Sequence, residues 1–199
     1  MSEYKPIKLI LLGESGVGKT NLIRVAIGKE FVSDISATLT SSYCESQITV
    51  DKKLYKYFLW DTAGQEKYRS LNQLFIKDSK IILLVFAINS RESFNQIDFW
   101  HKYVKDLLGE DDYIFALIAN KSDLYEADDV VKDQEIEAKA KEFKIKFKVT
   151  SALTDAVGFR DFLEEILKDY INTYYLQENK GPKSLKLDPN DKQDKKKCC

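Results

Sequence analysis

The chain has 199 residues, a length that suits one domain with a tail and is large enough to bury a hydrophobic core. Hydrophobic residues make up 44% and charged residues 32%, as is ordinary for a soluble globular protein. The net charge of -1 leaves no excess of positive charge to meet a phosphate backbone, so we expect no nucleic-acid binding.

The cysteines and the hydropathy pattern indicate an intracellular protein. Cys44, Cys198 and Cys199 are too few for a secreted disulfide framework and show no metal-ligand spacing. Polar and charged residues recur through residues 1 to 20, so no signal peptide is predicted, and no apolar run reaches the roughly 18 residues that span a bilayer. Membrane contact is therefore expected to need an added lipid.

The first motif is a glycine-rich loop between a predicted strand and a predicted helix. Gly13 to Thr20 reads GESGVGKT, directly after the apolar run Ile7 to Leu12, and so satisfies G-x-x-x-x-G-K-[ST] in its required context. The glycines let several N–H groups point at one anion, and the start of the helix adds further donors. Lys19 is expected to contact the outer phosphates and Thr20 to bind Mg²⁺, which predicts a nucleoside triphosphate.

Apolar runs and helical stretches alternate along the following chain, which predicts an α/β fold with helices on both faces of a mostly parallel sheet. Asp51 to Lys53 separates two of six predicted strands, so these two are expected to form a hairpin that gives one antiparallel edge strand. Strands are predicted at Ile7 to Leu12, Ser46 to Val50, Leu54 to Trp60, Ile81 to Ile88, Ile114 to Ala119 and Lys146 to Thr150. Helices are predicted at Lys19 to Ile27, around Ser70 to Phe75, and at Glu92 to Leu108, Gln134 to Phe143 and Gly158 to Tyr174, with Gly28 and Gly109 as C-terminal caps.

A motif follows the third predicted strand, at the end where ligands gather in a parallel sheet. Trp60 to Glu66 reads WDTAGQE. Asp61 is expected to hold Mg²⁺ through a water, Gly64 to bring its N–H to the γ-phosphate, and Gln65 to orient the attacking water. Alone, this motif fits a solvated loop equally well.

Two more motifs follow the fifth and sixth strands. Asn120 to Asp123 reads NKSD, and a carboxylate such as Asp123 can accept from two adjacent N–H groups of guanine, which adenine does not present. Ser151 and Ala152 would add a backbone donor to the base oxygen. Each of these could also be a solvated loop, but four such motifs in order at strand ends are unlikely to arise by chance.

GESGVGKT, WDTAGQE, NKSD and TSA in this order resemble the Ras superfamily of small GTPases over roughly residues 5 to 175. The resemblance implies a six-stranded Ras-like G domain of the P-loop NTPase class, with GTP or GDP as nucleotide and Mg²⁺ as cofactor. The implied nucleotide-binding residues are Glu14, Ser15, Gly16, Val17, Gly18, Lys19, Thr20, Phe31, Thr38, Gly64, Asn120, Lys121, Asp123, Ser151, Ala152 and Leu153. The implied metal ligands are Thr20, Thr38 and Asp61, and the implied catalytic residues are Lys19 and Gln65.

Thr38 is assigned by its distance from Phe31, whose ring is expected to pack on the guanine. The family has a threonine that binds Mg²⁺ only in the GTP state, and Thr38 lies at its spacing, seven residues after Phe31. Thr40 is the less favoured ligand. A third interpretation is that residues 38 to 42 are merely a polar loop.

Within the superfamily the chain resembles a Rab, through Ser15 in the phosphate loop, the run Lys67 to Leu71, and the terminal pair Cys198 and Cys199. A Rab carries three exposed aromatic residues that contact effectors. Tyr43, Trp60 and Phe75 stand at those positions, although they could instead be half-buried aromatics of the sheet and helix.

The chain departs from the Rab pattern in three places. Thr38-Leu39-Thr40 replaces the usual Thr-Ile-Gly, Phe75 to Asp78 replaces paired tyrosines with Arg-Gly, and Leu153 replaces a lysine beside the base. The identity of the effectors and the affinity for nucleotide therefore stay open.

We expect residues 1–176 to form the GTPase domain and residues 177–199 a disordered tail. The tail has seven lysines and four acids, and by resemblance Cys198 and Cys199 would each carry a geranylgeranyl group. Two free terminal thiols are the alternative. Two lipids with Lys195 to Lys197 would hold the protein on the cytoplasmic face of an intracellular membrane, with a cytosolic pool.

Together these features predict a slow GTPase that acts as a switch in vesicle trafficking. No arginine lies between Glu30 and Thr38 that could stabilise the phosphoryl group during its transfer. An arginine in that role raises the rate of hydrolysis by about 10³ to 10⁵. We therefore expect a monomer that depends on a GTPase-activating protein and a nucleotide exchange factor, with a prenylation escort, a GDP-dissociation inhibitor and GTP-state effectors. The γ-phosphate is expected to order residues 32 to 43 and 63 to 78.

Two other functions are considered. One is an interaction module that binds nucleotide but scarcely cycles. The other, a small-molecule kinase, is disfavoured because there is no arginine-rich lid and NKSD would have no role. His101 is expected on the solvent face of a helix and is given no chemistry.

Overall fold

The computed structural model describes residues 5–36, 38, 42–62, 69–109, 112–126 and 130–175, with the backbone alone for residues 69–72 and 175. A single sheet of six strands has the spatial order β2-β3-β1-β4-β5-β6. The strands are β1 (Ile7–Leu12), β2 (Ser42–Val50), β3 (Lys53–Asp61), β4 (Ile81–Ala87), β5 (Ile114–Asn120) and β6 (Lys146–Val149).

All strand pairs are parallel except β2 with β3, and β2 lies at the edge, so the predicted sheet and its antiparallel edge strand are confirmed. The hairpin turns at Asp51 and Lys52, whose φ angles of 49° and 62° suit a two-residue turn that follows the twist of the strands. The predicted start of β2 at Ser46 is wrong, because Ser42 already pairs with Asp61.

The helices are α1 (Lys19–Ala26), α2 (Arg69–Ile76), α3 (Arg91–Asn95), α4 (Ile97–Leu108), α5 (Asp133–Phe143) and α6 (Ala156–Tyr170), with a 3₁₀ turn at Ser122–Leu124 and a π-helical turn at Ile171–Tyr175. The single helix predicted from Glu92 to Leu108 is divided at Gln96. The last helix begins before the predicted Gly158, because the Asp155 side chain accepts a bond from the Gly158 N–H and caps it at Ala156. Gly28 and Gly109 stand at helix ends with positive φ angles of 77° and 64°, which favour glycine at the predicted caps.

The sheet separates two apolar cores. Leu9, Leu11 and Val85 pack against α1 and α6, whereas Ile10 and Leu84 face α3, α4 and α5. All residues of β4 are buried, as expected for a central parallel strand covered on both faces. The predicted placement of helices on both faces is confirmed.

His101 is half-buried, so its predicted position on the solvent face is wrong. Its ring stacks on Phe143 at 3.9 Å between centroids and lies 4.7 Å from Phe115. Burial lowers the pKa of His101, with Lys105 adding to the shift. The side chain belongs to the packing between α4 and α5.

Within the part of the chain that the structure describes, no helix combines the length and the apolar character needed to traverse a bilayer.

Candidate functional site

A cavity of about 420 Å³ opens at the carboxyl ends of the parallel strands, where α/β sheets bind ligands. It brings together residues predicted from the phosphate loop, the NKSD motif and the TSA motif, with Phe31 and Thr38, whereas Asp61 of the WDTAGQE motif does not line it. The predicted residues that line it are Ser15, Gly16, Gly18, Lys19, Thr20, Phe31, Thr38, Asn120, Lys121, Asp123, Ser151, Ala152 and Leu153. Glu14 and Val17 are not among the lining residues, and Gly64 and Gln65 lie outside the described part of the chain.

The phosphate loop, which follows β1, is closely packed against β4 and Asn120. Gly13 has φ of 153°, and a Cβ there would stand 2.0 Å from the Val85 carbonyl oxygen of β4. Gly18 has φ of 96°, and a Cβ there would stand 2.4 Å from Asn120 Nδ2. Both positions therefore require glycine, for space as well as for backbone conformation.

Lys19 is buried at the start of α1, with 5% of its surface exposed. Its Nζ donates to the carbonyl oxygens of Gly13, at 2.8 Å, and Glu14, at 2.9 Å. Burial lowers the pKa of Lys19 to about 8, while Asp61 and Glu14 oppose the shift. An anion in the cavity would favour the charged ammonium, as the outer phosphates of a nucleotide do.

The three predicted metal ligands are bonded to one another, and two of them, Thr20 and Thr38, line the cavity. Thr20 Oγ1 donates to Asp61 Oδ2 at 2.7 Å and lies 2.9 Å from Thr38 Oγ1, which is 3.5 Å from the same carboxylate oxygen. The alternative ligand Thr40 lies outside the described residues. The segment that carries Thr38 is thus attached to both the phosphate loop and the end of β3.

The chemistry of this group fits a magnesium ion. Asp61 is 6% exposed, burial raises its pKa, and its Oδ1 has no hydrogen-bond partner among the residues that the structure describes. An unpartnered buried carboxylate oxygen is costly, and a cation beside it would remove that cost. Two hydroxyls and a carboxylate are the hard oxygen ligands that Mg²⁺ prefers.

At the other end, Asn120 joins three loops. Its Nδ2 donates to the Val17 carbonyl oxygen at 2.8 Å, and its Oδ1 accepts from the Ala152 N–H at 3.1 Å. Asn120 is 1% exposed, so both bonds are shielded from water. The phosphate loop, the NKSD loop and the loop after β6 are therefore held at fixed positions relative to one another.

Ser151 fixes the carboxylate predicted to recognise guanine. Its hydroxyl donates to Asp123 Oδ1 and accepts from the N–H groups of Leu153, at 3.1 Å, and Thr154, at 3.2 Å. Asp123 is thereby oriented at the cavity wall. Leu153 lines the same wall with 53% of its surface exposed, so an apolar side chain stands where the family often has a lysine.

Several residues of the cavity were not predicted. These are Asn21, Ser33, Ile35, Ser36, Thr62 and Leu124. Asn21 forms two bonds with Val32, from its Nδ2 to the carbonyl oxygen at 2.9 Å and from the Val32 N–H to its Oδ1 at 3.1 Å. No local pattern signals this pairing across 11 positions, because it depends on how the chain returns over α1.

The predicted effector residues Tyr43, Trp60 and Phe75 are in contact with one another. Tyr43 stacks on Trp60 with ring centroids 5.0 Å apart, and Trp60 lies 5.6 Å from Phe75. Tyr43 is 56% exposed, whereas the other two are half-buried. They form one continuous aromatic cluster contributed by β2, β3 and α2.

Comparison with known proteins matches the chain to the Ras family over residues 8–172. The chain is 36% identical to Protein ras-1 of Neurospora crassa over 165 residues, which are 81% of this chain and 76% of that protein. It is 36% identical to the GTP-binding protein yptV5 of Volvox carteri over 120 residues, 59% of this chain and 58% of that protein. It is 28% identical to the Ras-related protein Rab-31 of Mus musculus over 203 residues, 100% of both chains.

Proposed function

This chain belongs to the Ras family of small GTPases, and from that premise we propose that it is a Rab-type switch of intracellular vesicle traffic. As a member of the family it binds GTP and GDP and hydrolyses GTP. The traffic role is supported by the similarity to Rab-31 along both whole chains and by the terminal Cys198-Cys199. The tail 177–199 lies outside the described residues, so its lipids remain a prediction.

The main observation that supports a switch is that the side-chain oxygens of Thr20, Thr38 and Asp61 lie within hydrogen-bonding distance of one another. Thr38 lies between α1 and β2 in the chain, whereas Thr20 belongs to helix α1 and Asp61 to strand β3. A ligand that changes the contacts of Thr38 therefore changes the position of a segment without disturbing the core. Partners that bind one arrangement of this segment would detect whether the third phosphate is present.

The site residues would have separate roles in phosphoryl transfer. Lys19 and the amides of the phosphate loop would hold the phosphates, while Asn120, Asp123 and Ser151 would hold the base. Thr20, Thr38 and Asp61 would hold Mg²⁺, which when bound supplies positive charge at the phosphate oxygens. Gln65 would orient the attacking water, and the lack of an arginine between Glu30 and Thr38 supports slow hydrolysis that needs an activating protein.

The switch is tested by hydrogen exchange on full-length protein loaded with GDP or with a non-hydrolysable GTP analogue. We expect slower exchange in residues 32–43 with the triphosphate in the wild type, and no such difference in Thr38→Ala. Thr40→Ala is the matched control and is expected to behave as wild type. If Thr40→Ala loses the difference and Thr38→Ala keeps it, the metal-ligand assignment is wrong. If the wild type shows no difference between the nucleotides, the switch itself is refuted.

The membrane role is tested by cell fractionation. Wild-type protein is expected in both the membrane and the cytosolic fraction, because two lipids with a basic tail anchor a protein stably. Cys198→Ser with Cys199→Ser is expected to be entirely cytosolic, whereas Cys44→Ser should distribute as wild type. Membrane retention of the double variant would refute the lipid anchor.

A further inference from the structure

A second cavity, of about 250 Å³, lies between α1 and the edge of the sheet. On the helix side it is lined by Thr20, Ile23 and Ile27, whose spacing places them on one face of α1 and its C-terminal cap. On the sheet side it is lined by two pairs that stand opposite each other in the β2–β3 hairpin, Ser42 with Asp61 and Cys44 with Leu59. The cavity therefore follows the helix axis for about 10 Å, the rise from residue 20 to residue 27.

The two ends of this second cavity carry opposite charges. Asp61, which accepts from Thr20 Oγ1 at 2.7 Å, lies at the end where α1 begins. Arg24 and Lys29 line the other end. Arg24 Nε donates to the Glu30 carbonyl oxygen at 3.1 Å, which directs the guanidinium toward the chain beyond α1 that carries Lys29. Neither cation forms an ion pair with a carboxylate of the described residues, so this end can accept an anion.

Ile35 connects the second cavity with the nucleotide cavity, because it lines both. Its side chain is 36% exposed, so a ligand in the second cavity would cover apolar surface there. Thr38, three residues further along the chain, lies 2.9 Å from Thr20 Oγ1 and 3.5 Å from Asp61 Oδ2 through its hydroxyl. A ligand that packs on Ile35 would therefore stabilise the segment in the position in which Thr38 makes these contacts.

We propose that the second cavity binds a small aliphatic carboxylate and that this ligand slows the release of nucleotide. The aliphatic chain packs against Ile23, Leu59 and Ile35, and the carboxylate lies at Arg24 and Lys29. Two cations without a carboxylate partner complement one anionic head group, and the acidic opposite end of the cavity disfavours the reverse orientation. Because the ligand binds best when Ile35 is in place, it shifts the segment toward that position and keeps the nucleotide enclosed. The inference goes beyond the proposed function, since it depends on GDP binding and not on vesicle traffic.

Binding is tested by titrating octanoate into full-length, GDP-loaded protein in a calorimeter. Octanoate is comparable in length to the cavity, and we expect a dissociation constant of about 1 mM, as suits so small a ligand. Octanol has the same chain without the charge and should bind about fivefold more weakly or worse. Lys29→Gln should weaken octanoate binding by a similar factor, because it removes one of the two cations. Lys141→Gln, which changes an exposed lysine of α5 across the sheet, is the matched control and should bind octanoate as the wild type does.

The thiol of Cys44 reports where octanoate binds. The chain has three cysteines, so in protein with Cys198→Ser and Cys199→Ser it is the one thiol left. Octanoate at about ten times its dissociation constant should slow the alkylation of Cys44 by iodoacetamide about tenfold, because the bound ligand covers the thiol. Cys44→Phe should abolish octanoate binding by filling the cavity, whereas Cys44→Ser should leave binding unchanged.

The effect on nucleotide is measured as the release of fluorescent GDP. We expect saturating octanoate to slow release about fivefold in the wild type, a coupling typical of two linked sites, and to have no effect on Cys44→Phe. Slower release together with protection of Cys44 supports the proposal. It is overturned if Cys44 is not protected, if octanol binds as tightly as octanoate, if Lys29→Gln binds as Lys141→Gln does, or if release is unchanged. None of these readouts involves a membrane or an effector, so they are independent of the proposed traffic role.

Discussion

The two ends of the cavity, at which the proposed function places the base and the phosphates, differ in how completely their polar groups are bonded. At the base end, Asn120 and Ser151 are 1% exposed and bonded to their neighbours. At the phosphate end, Asp61 Oδ1 is buried with no partner within the described ranges, and Thr38 is joined by hydroxyl contacts of 2.9 and 3.5 Å. The base end is therefore built before a ligand arrives, whereas the phosphate end is completed by what binds there.

The largest expected effect comes from breaking the prebuilt end. Asn120→Ala removes the bonds to the Val17 carbonyl and the Ala152 N–H and leaves both groups buried. We expect the free energy of unfolding to fall by about 3 kcal/mol and GDP to dissociate faster. Urea denaturation and the release of fluorescent GDP measure the two effects.

Asn89→Ala, an exposed asparagine after β4, is the control and should change neither quantity. A loss under about 0.5 kcal/mol in Asn120→Ala would mean that the base end is not held by these bonds.

A smaller effect, on pH dependence, concerns the phosphate end. Burial lowers the pKa of Lys19 to about 8, so above that pH the nucleotide-free protein must take up a proton to present an ammonium to phosphate. We expect GDP affinity to fall by up to about tenfold per pH unit above pH 8, measured by calorimetry. In the free protein the sign is opposite: the unfolded state binds more protons between pH 8 and the normal lysine pKa, so stability contributed by this group rises with pH over that range.

Lys19→Met should bind GDP weakly and lack this slope. A wild-type slope that survives in Lys19→Met would assign the titration to another group.

The smallest expected effect tests whether the two ends of the cavity loosen independently. Asn21→Ala removes two exposed bonds to Val32 and should cost about 1 kcal/mol or less in unfolding free energy. It should nevertheless speed hydrogen exchange in residues 32–36, while Asn120 and Ser151 keep the base end protected. Equal acceleration at both ends would show that the cavity loosens as one unit.

The sequence predicted those parts of the fold and site that depend on local pattern. The strand ends that carry Gly13, Asp61, Asn120 and Ser151 were predicted because apolar runs and turn residues mark them. Their convergence also followed, because the carboxyl ends of parallel strands share one edge. The roles of Gln65, Gly64 and the tail stay predictions.

The missed features depend on packing between distant segments. Three contacts join residues that share no local sequence pattern. They are the hydrogen bond from Trp100 to Glu14, the hydrogen bond from Asn21 to Val32, and the stacking of His101 on Phe143. The early start of β2 was missed because Ser42 and Tyr43 are exposed, so no alternation of burial marks them. Helix spacing placed His101 correctly on α4, but only the position of α5 decides that this face is covered.

The contact of Gly13 with β4 has a mechanical consequence. Because there is room for no more than a hydrogen between Gly13 and the Val85 carbonyl oxygen, the phosphate loop cannot move toward β4 at this point. Any displacement that nucleotide exchange causes is therefore expected on the side of Thr38, which precedes β2 in the chain, a strand with a neighbour on one side only. We expect this motion to reach the edge of the sheet, where Tyr43 is exposed.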